Sequence, residues 1–72
     1  MNLNQALECV EYKISKIETQ DDELNSFLFS LGCYSGEKIA VIARKKSISI
    51  IALKNARYSI DNNLANAIVV EQ

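Results

Sequence analysis

The segment Asp21–Ile39 constrains the fold of this chain more than any other part of the sequence. Four of its apolar residues recur with the spacing that lines one face of an α-helix, namely Leu24, Phe27, Leu28 and Leu31. Thr19 and Asp22 have the spacing of a capping box, and Gly32 follows the last apolar residue, where a left-handed residue ends many helices. The segment therefore predicts a helix with an apolar, core-facing side, followed by structural turns at Gly32 and Gly36 that lead into a strand.

The first predicted strand precedes this helix. Val10, Tyr12 and Ile14 alternate with polar residues, which is the pattern of a strand with one buried face. Ile17 breaks the alternation, so we expect a bulge or the end of the strand there. Tyr12, like Phe27 of the helix, is assigned to the core.

The chain after the helix is read as four more strands, at 39–44, 48–53, 57–60 and 68–70. The first of these carries aliphatic residues on both faces, which indicates a position near the middle of the sheet. Asn55 suits the positive φ of a tight hairpin between the strands at 48–53 and 57–60. Asp61 begins the cap of a single helical turn at 64–67.

These elements predict a mainly β protein, because five short strands are too few for a sandwich of two full sheets. A small, partly open barrel of about five strands, with one inserted α-helix and one short helical turn, removes most exposed strand edges. The length of 72 residues predicts a single domain covering 1–72.

The segment Leu31–Ile39 resembles the leucine, glycine, three-residue, glycine signature of the FeoA family, the ferrous iron transport protein A family. The resemblance continues to the closing aliphatic segment Leu64–Glu71 and covers most of the chain. It implies that the barrel is SH3-like, with the helix inserted between the first two strands. The chain departs from the family at Ser35, where proline is usual, and at 44–47, where many members have a longer loop.

The sequence contains no residue constellation typical of an enzyme. It has no histidine, which removes the usual general base near neutral pH and the commonest metal ligand. Cys9 and Cys33 form no Cys-x-x-Cys element and are predicted to be free thiols. We therefore expect no catalytic residue, no metal ligand and no cofactor.

Composition also narrows the class of partner. A net charge of −1 argues against broad binding to nucleic acid, which needs many cations on one face. No apolar run approaches the roughly 20 residues that span a bilayer, so no membrane insertion is expected. The N-terminus lacks the features of a signal peptide, which predicts a cytoplasmic protein.

Two groups of residues are candidate contacts with a protein partner. A basic turn is concentrated at Arg44, Lys45 and Lys46, and it would attract an acidic surface. Phe29 lies off the apolar stripe of the helix and would form an exposed patch with residues just past the helix end, Cys33 and Tyr34. The alternative for the basic turn is a solvated turn that protects the end of the sheet from aggregation. The alternative for Phe29 is that its ring covers one end of the barrel.

The family resemblance implies a non-enzymatic accessory protein of ferrous iron uptake. Its partner would be the membrane GTPase that transports ferrous iron, contacted at its cytosolic GTP-binding domain. The alternative is an SH3-like regulatory module related to the C-terminal domain of metal-dependent transcriptional repressors. An RNA-binding barrel is disfavoured by the charge balance and by too few aromatic residues for base stacking. The oligomeric state stays open.

Overall fold

The computed structural model describes residues 1–71, and its strands are β1 (Glu11–Ile17), β2 (Lys38–Arg44), β3 (Ile48–Leu53), β4 (Ala56–Asp61) and β5 (Ile68–Glu71). Helix α1 (Asp22–Ser30) connects β1 to β2, and helix α2 (Asn62–Ala67) connects β4 to β5. A 3-10 turn at Leu3–Gln5 precedes β1. The strands form one antiparallel sheet in the order β4-β3-β2-β1-β5, which confirms the predicted mainly β architecture with an inserted helix.

Strand β2 lies in the middle of the sheet, as its aliphatic sequence predicts. Ile39 and Val41 face the core and are buried, whereas the alternating residues Ala40 and Ile42 are half-buried on the other face. Strands β4 and β5 are the two edges, so the described sheet curls around the core without closing.

Strand β1 contains the irregularity predicted near Ile17. Its pairing with β5 shifts register between Ile14 and Lys16, and the strand ends at Ile17. A bulge strengthens the local twist of a strand, which helps a small sheet to curl. Tyr12 is buried as predicted, and its hydroxyl accepts a hydrogen bond from the backbone N–H of Leu7 at 3.1 Å.

Helix α1 is capped by Asp21 rather than by the predicted Thr19. The Oδ1 atom of Asp21 accepts hydrogen bonds from the backbone N–H groups of Glu23 and Leu24, at 3.0 and 3.2 Å. The Thr19 hydroxyl instead accepts a bond from the Asp21 N–H at 3.1 Å, so it supports the turn that leads into the cap. A carboxylate cap also complements the positive end of the helix dipole.

Gly32 ends α1 in the left-handed conformation that the sequence predicts, with φ of +92°. The backbone N–H groups of Gly32 and Cys33 donate to the carbonyls of Phe29 and Leu28, at 3.0 and 2.9 Å. These two bonds go to carbonyls in the last turn of the helix, where the regular helical pattern of donors ends. Gly36 also has a left-handed φ, of +95°, at the turn into β2.

The buried face of α1 is narrower than predicted. Leu28 is fully buried and Leu24 and Leu31 are partly buried, but Phe27 is 49% exposed. The assignment of Phe27 to the core is therefore wrong. The core to which Leu28 belongs also includes Leu3 of the N-terminal segment, which is fully buried.

The N-terminal segment packs across the sheet in an arrangement that the sequence analysis did not predict. Leu3 is buried in the core, and the carbonyl of Met1 accepts a hydrogen bond from the N–H of Val70 at 2.8 Å. The Arg44 guanidinium donates from Nη2 to the Leu3 carbonyl at 2.8 Å, and the Arg44 N–H donates to Glu8 Oε2 at 2.7 Å. The start of the chain is thus fixed to both β2 and β5.

The hairpin between β3 and β4 places its left-handed residue at Lys54, with φ of +57°, and not at Asn55 as predicted. Leu53 pairs with Ala56, so the loop has two residues. In two-residue hairpins a positive φ at the first loop residue matches the twist of the strands. Turn geometry therefore overrides the usual preference of asparagine for this conformation.

Helix α2 begins at Asn62, earlier than the predicted start at 64. Asp61 is its cap, as predicted, and Asp61 Oδ1 accepts a hydrogen bond from the Leu64 N–H at 2.9 Å. Ala65 and Ala67 are buried, so this short helix contributes to the core as well as connecting two strands.

Candidate functional site

Within residues 1–71, no group of three or more His, Cys, Asp or Glu side chains is placed to hold a metal ion. The same residues form no helix that is both long and apolar enough to cross a membrane. Exposed side chains that the fold does not need for its own core form the candidate site.

The aromatic residues predicted to lie together after the helix do so. The rings of Phe29 and Tyr34 have their centroids 5.0 Å apart and are tilted by 37°. Phe29 is 65% exposed, so its ring is supported from one side only. Tilted aromatic pairs at this distance attract each other through their ring quadrupoles. Phe29, in the last turn of α1, and Tyr34, in the loop that follows, together form a surface that is partly exposed.

Lys54 of the β3–β4 hairpin holds this surface in place. Its ammonium lies 5.1 Å from the centroid of the Tyr34 ring and donates a hydrogen bond to the Tyr34 hydroxyl at 3.0 Å. It also pairs with Glu37 Oε1 at 3.4 Å. The hydrogen bond to Tyr34, followed by that to Glu37, raises the pKa of Lys54 above its usual value. We call Phe29, Tyr34 and Lys54 the aromatic patch.

Gly32 has a second role beside ending the helix. A Cβ atom on Gly32 would lie 3.1 Å from Cε and 3.3 Å from Cδ of Lys54. The Lys54 side chain therefore lies against Gly32, where there is no side chain to block it, and extends to Tyr34. The sequence analysis missed Lys54 as part of the site, because local patterns give no signal for a contact between two distant turns.

Cys33 does not belong to the exposed patch in which the sequence analysis placed it. It is 1% exposed and packs in the core, since its N–H closes the helix end and directs its side chain inward. Burial raises the pKa of the Cys33 thiol to about 11. Cys33 is therefore a neutral core residue near pH 7, while Cys9 is an exposed free thiol.

The basic turn is divided by the structure into one anchored and two unpaired residues. Arg44 uses both its guanidinium and its backbone N–H to hold the N-terminal segment. Lys45 and Lys46 are exposed, and neither forms an ion pair in the part of the chain that the structure describes. The two lysines are accordingly the members of this turn that are available to a partner.

Comparison with known protein families shows a match to the FeoA domain over residues 1–72. Among curated proteins none matches the chain significantly. Solved structures with similar folds include FeoA of Stenotrophomonas maltophilia in complex with zinc, named as a prokaryotic SH3 domain protein. It has a TM-score of 0.88 and 17% identity, covering 99% of this chain and 89% of that one.

Two further structures show the same fold. A FeoA-like protein from Clostridium acetobutylicum has a TM-score of 0.86 and 18% identity, with 99% of this chain and 84% of that chain covered. A manganese-dependent transcriptional repressor in complex with manganese has a TM-score of 0.90 and 19% identity. The match covers 99% of this chain but only 35% of the repressor. These similarities establish the SH3-like fold.

Proposed function

This chain belongs to the FeoA family, and we propose on that basis that it is a non-enzymatic accessory protein of ferrous iron uptake. In this proposal it acts in the cytoplasm as a single domain. It binds the cytosolic GTP-binding domain of a membrane ferrous iron transporter, and iron is the cargo of that transporter rather than a resident of this chain.

The observation that supports this proposal most is the preorganised aromatic patch. Phe29 is as exposed as any large apolar side chain of the chain. Exposed aromatic side chains that are already fixed in position lose little conformational entropy when a partner covers them, which makes them effective centres of protein interfaces. Lys54 supplies that fixation, because it bonds to the Tyr34 ring hydroxyl and to Glu37 at once.

The two unpaired lysines of the basic turn give the chain a second means of attracting an acidic partner, at the opposite end of β3 from Lys54. Charges at the rim of an interface act mainly on the association rate and on its salt dependence. Lys45 and Lys46 are exposed and free to act in this way, while the predicted contribution of Arg44 is limited by its bond to the Leu3 carbonyl. A charge reversal test should therefore change Lys45 and Lys46 and leave Arg44 intact.

A second candidate function is supported by the similarity to the manganese-dependent repressor. In that case the domain would serve as a regulatory module that contacts a DNA-binding protein. The match covers 35% of the repressor, so the similarity concerns one part of that protein.

The experiment that tests the first proposal is binding of the purified chain to the purified GTP-binding domain of the transporter from the same organism. Calorimetry with GDP and with a non-hydrolysable GTP analogue should give a one-to-one complex in at least one nucleotide state. The absence of binding in both states, together with capture of a DNA-binding protein from an extract of the organism, would favour the second candidate instead.

A further inference from the structure

A groove between the start of α1 and the start of α2 is not used by the proposed function. Its volume is about 450 Å³. Three apolar side chains line its floor, and the polar residues around it include three carboxylates. The apolar residues are Leu24, Phe27 and Leu64, and the carboxylates are those of Asp21, Glu23 and Asp61. We call this set of residues the acidic groove.

The apolar residues of the acidic groove are positioned by the core on one side of the groove and face solvent on the other. Leu24 and Leu64 are half-buried and pack against the core, so their positions are set by the fold. Phe27 also lines the groove, is 49% exposed and is not part of the buried core. An exposed aromatic side chain of this kind provides an apolar surface that a partner's side chain can cover.

Two carboxylates of the acidic groove each retain an oxygen atom that can accept a hydrogen bond from a ligand. Asp21 bonds to the backbone of α1 through Oδ1, and Asp61 bonds to the backbone of α2 through Oδ1. The second oxygen of each forms no hydrogen bond within the described chain, and no Lys or Arg among the described residues lines the groove. The positive ends of the two helices offset about half an elementary charge each. Three carboxylates therefore leave the groove negative.

Phe27 and Phe29 face different sides of α1, so the acidic groove is separate from the aromatic patch. Successive helix residues are rotated by about 100°, and two positions place the rings about 200° apart around the helix axis. Phe29 instead contacts Tyr34 beyond the end of the helix. A ligand of the acidic groove can therefore bind while the aromatic patch is occupied.

We propose that the acidic groove binds a basic amphipathic segment of a partner protein. An apolar side chain of that segment covers Phe27, and flanking Lys or Arg side chains bond to the free oxygens of Asp21 and Asp61. The basic turn of a second copy fits less well, because Lys45 and Lys46 have no large apolar neighbour within that turn. The negative charge of the groove disfavours an anionic ligand.

The test uses a defined probe, a terminally blocked peptide of lysine and leucine with helical periodicity, and the ¹⁵N-labelled protein. Nuclear magnetic resonance titration should shift the backbone amides of Leu24, Phe27 and Leu64 selectively. Binding should weaken as salt is raised, because the charges involved are exposed. The variants Phe27→Ala and Glu23→Lys should each weaken binding by about tenfold, as expected for residues central to an interface.

Matched controls come from the same helix. Asp22→Lys changes the charge in the same turn as Glu23→Lys but does not line the groove. Phe29→Ala removes an exposed aromatic residue that lies outside the groove. Both should bind the peptide as the wild type does. Phe29→Ala should still weaken binding to the transporter domain, so failure of this proposal and failure of the proposed function are distinguishable.

Three outcomes would overturn the proposal. The first is equal weakening by Phe27→Ala and Phe29→Ala, which would place the peptide elsewhere on the helix. The second is an equal response to a control peptide in which glutamate replaces lysine. The third is a concentration-dependent shift of the groove amides without any peptide, which would identify a second copy of the chain as the occupant.

Discussion

The side chain of Lys54 occupies the space beside Gly32, with its Cε atom 3.1 Å from the position that a Cβ on the glycine would take. This contact joins the β3–β4 hairpin to the end of α1. It also sets the course of the lysine toward Tyr34, whose hydroxyl it reaches at 3.0 Å. One glycine thus ends a helix and leaves room for the residue that orders the aromatic patch.

We predict that Gly32→Ala lowers the free energy of unfolding by more than Gly36→Ala does. Both glycines have nearly the same left-handed φ, so both substitutions should cost on the order of 1 kcal/mol for backbone strain. Only at Gly32 does the new methyl group displace Lys54, because nothing lies within 4 Å of a Cβ at Gly36. Urea denaturation of both variants measures the difference, and equal losses would show that the Lys54 contact contributes nothing.

The raised pKa of Lys54 predicts a loss of stability at alkaline pH. The pKa of the folded state lies above the ordinary value of 10.5, so the folded state binds this proton more tightly than the unfolded state. The stabilisation is therefore complete below the unfolded pKa and is lost as pH rises through the folded pKa. Lys54→Met should lack this component. Thermal melts of both proteins from about pH 9 to pH 12 should converge as Lys54 deprotonates, and parallel curves would contradict the assignment.

Leu28 and Phe27 are neighbours in sequence with opposite environments, which makes them a matched pair. Leu28 is fully buried, so Leu28→Ala should lower the free energy of unfolding by about 2–5 kcal/mol. Phe27→Ala should cost much less, because the ring is 49% exposed. Chemical denaturation distinguishes the two. A larger loss for Phe27→Ala would restore Phe27 to the core.

Ser49 is a buried polar residue on the core side of β3. Its hydroxyl oxygen has no hydrogen-bond partner among residues 1–71. A buried polar group without a partner is destabilising, so Ser49→Ala should raise the free energy of unfolding by about 1 kcal/mol. The melting temperature of the variant measures this effect, and a decrease would show that the hydroxyl is bonded in solution.

Local sequence signals predicted the elements of this fold well. The aliphatic strand β2 and the glycine at the end of α1 are encoded by residues that lie next to each other in the chain. The exposure of Phe27 was missed, because periodicity marks one face of a helix without showing how wide a face the core can accept. The buried width depends on the whole core, which includes residues as distant in sequence as Leu3.

The contacts that shape the candidate site are mostly long-range, and this explains why the sequence predicted them only in part. Phe29 and Tyr34 were found because they flank one helix end. The bond between Arg44 and Leu3 joins residues that are 41 positions apart, and no local pattern encodes it. Lys54 and Tyr34 are separated by 20 positions and were missed for the same reason.

Binding kinetics between this chain and the GTP-binding domain of the transporter test the central claim most directly. Phe29→Ala should speed dissociation by about tenfold, while Leu7→Ala, which removes an equally exposed apolar side chain outside the aromatic patch, should not. Reversing the charges of Lys45 and Lys46 should slow association at low salt and leave the melt nearly unchanged. Wild-type kinetics for Phe29→Ala would contradict the account, because the aromatic patch would then lie outside the interface.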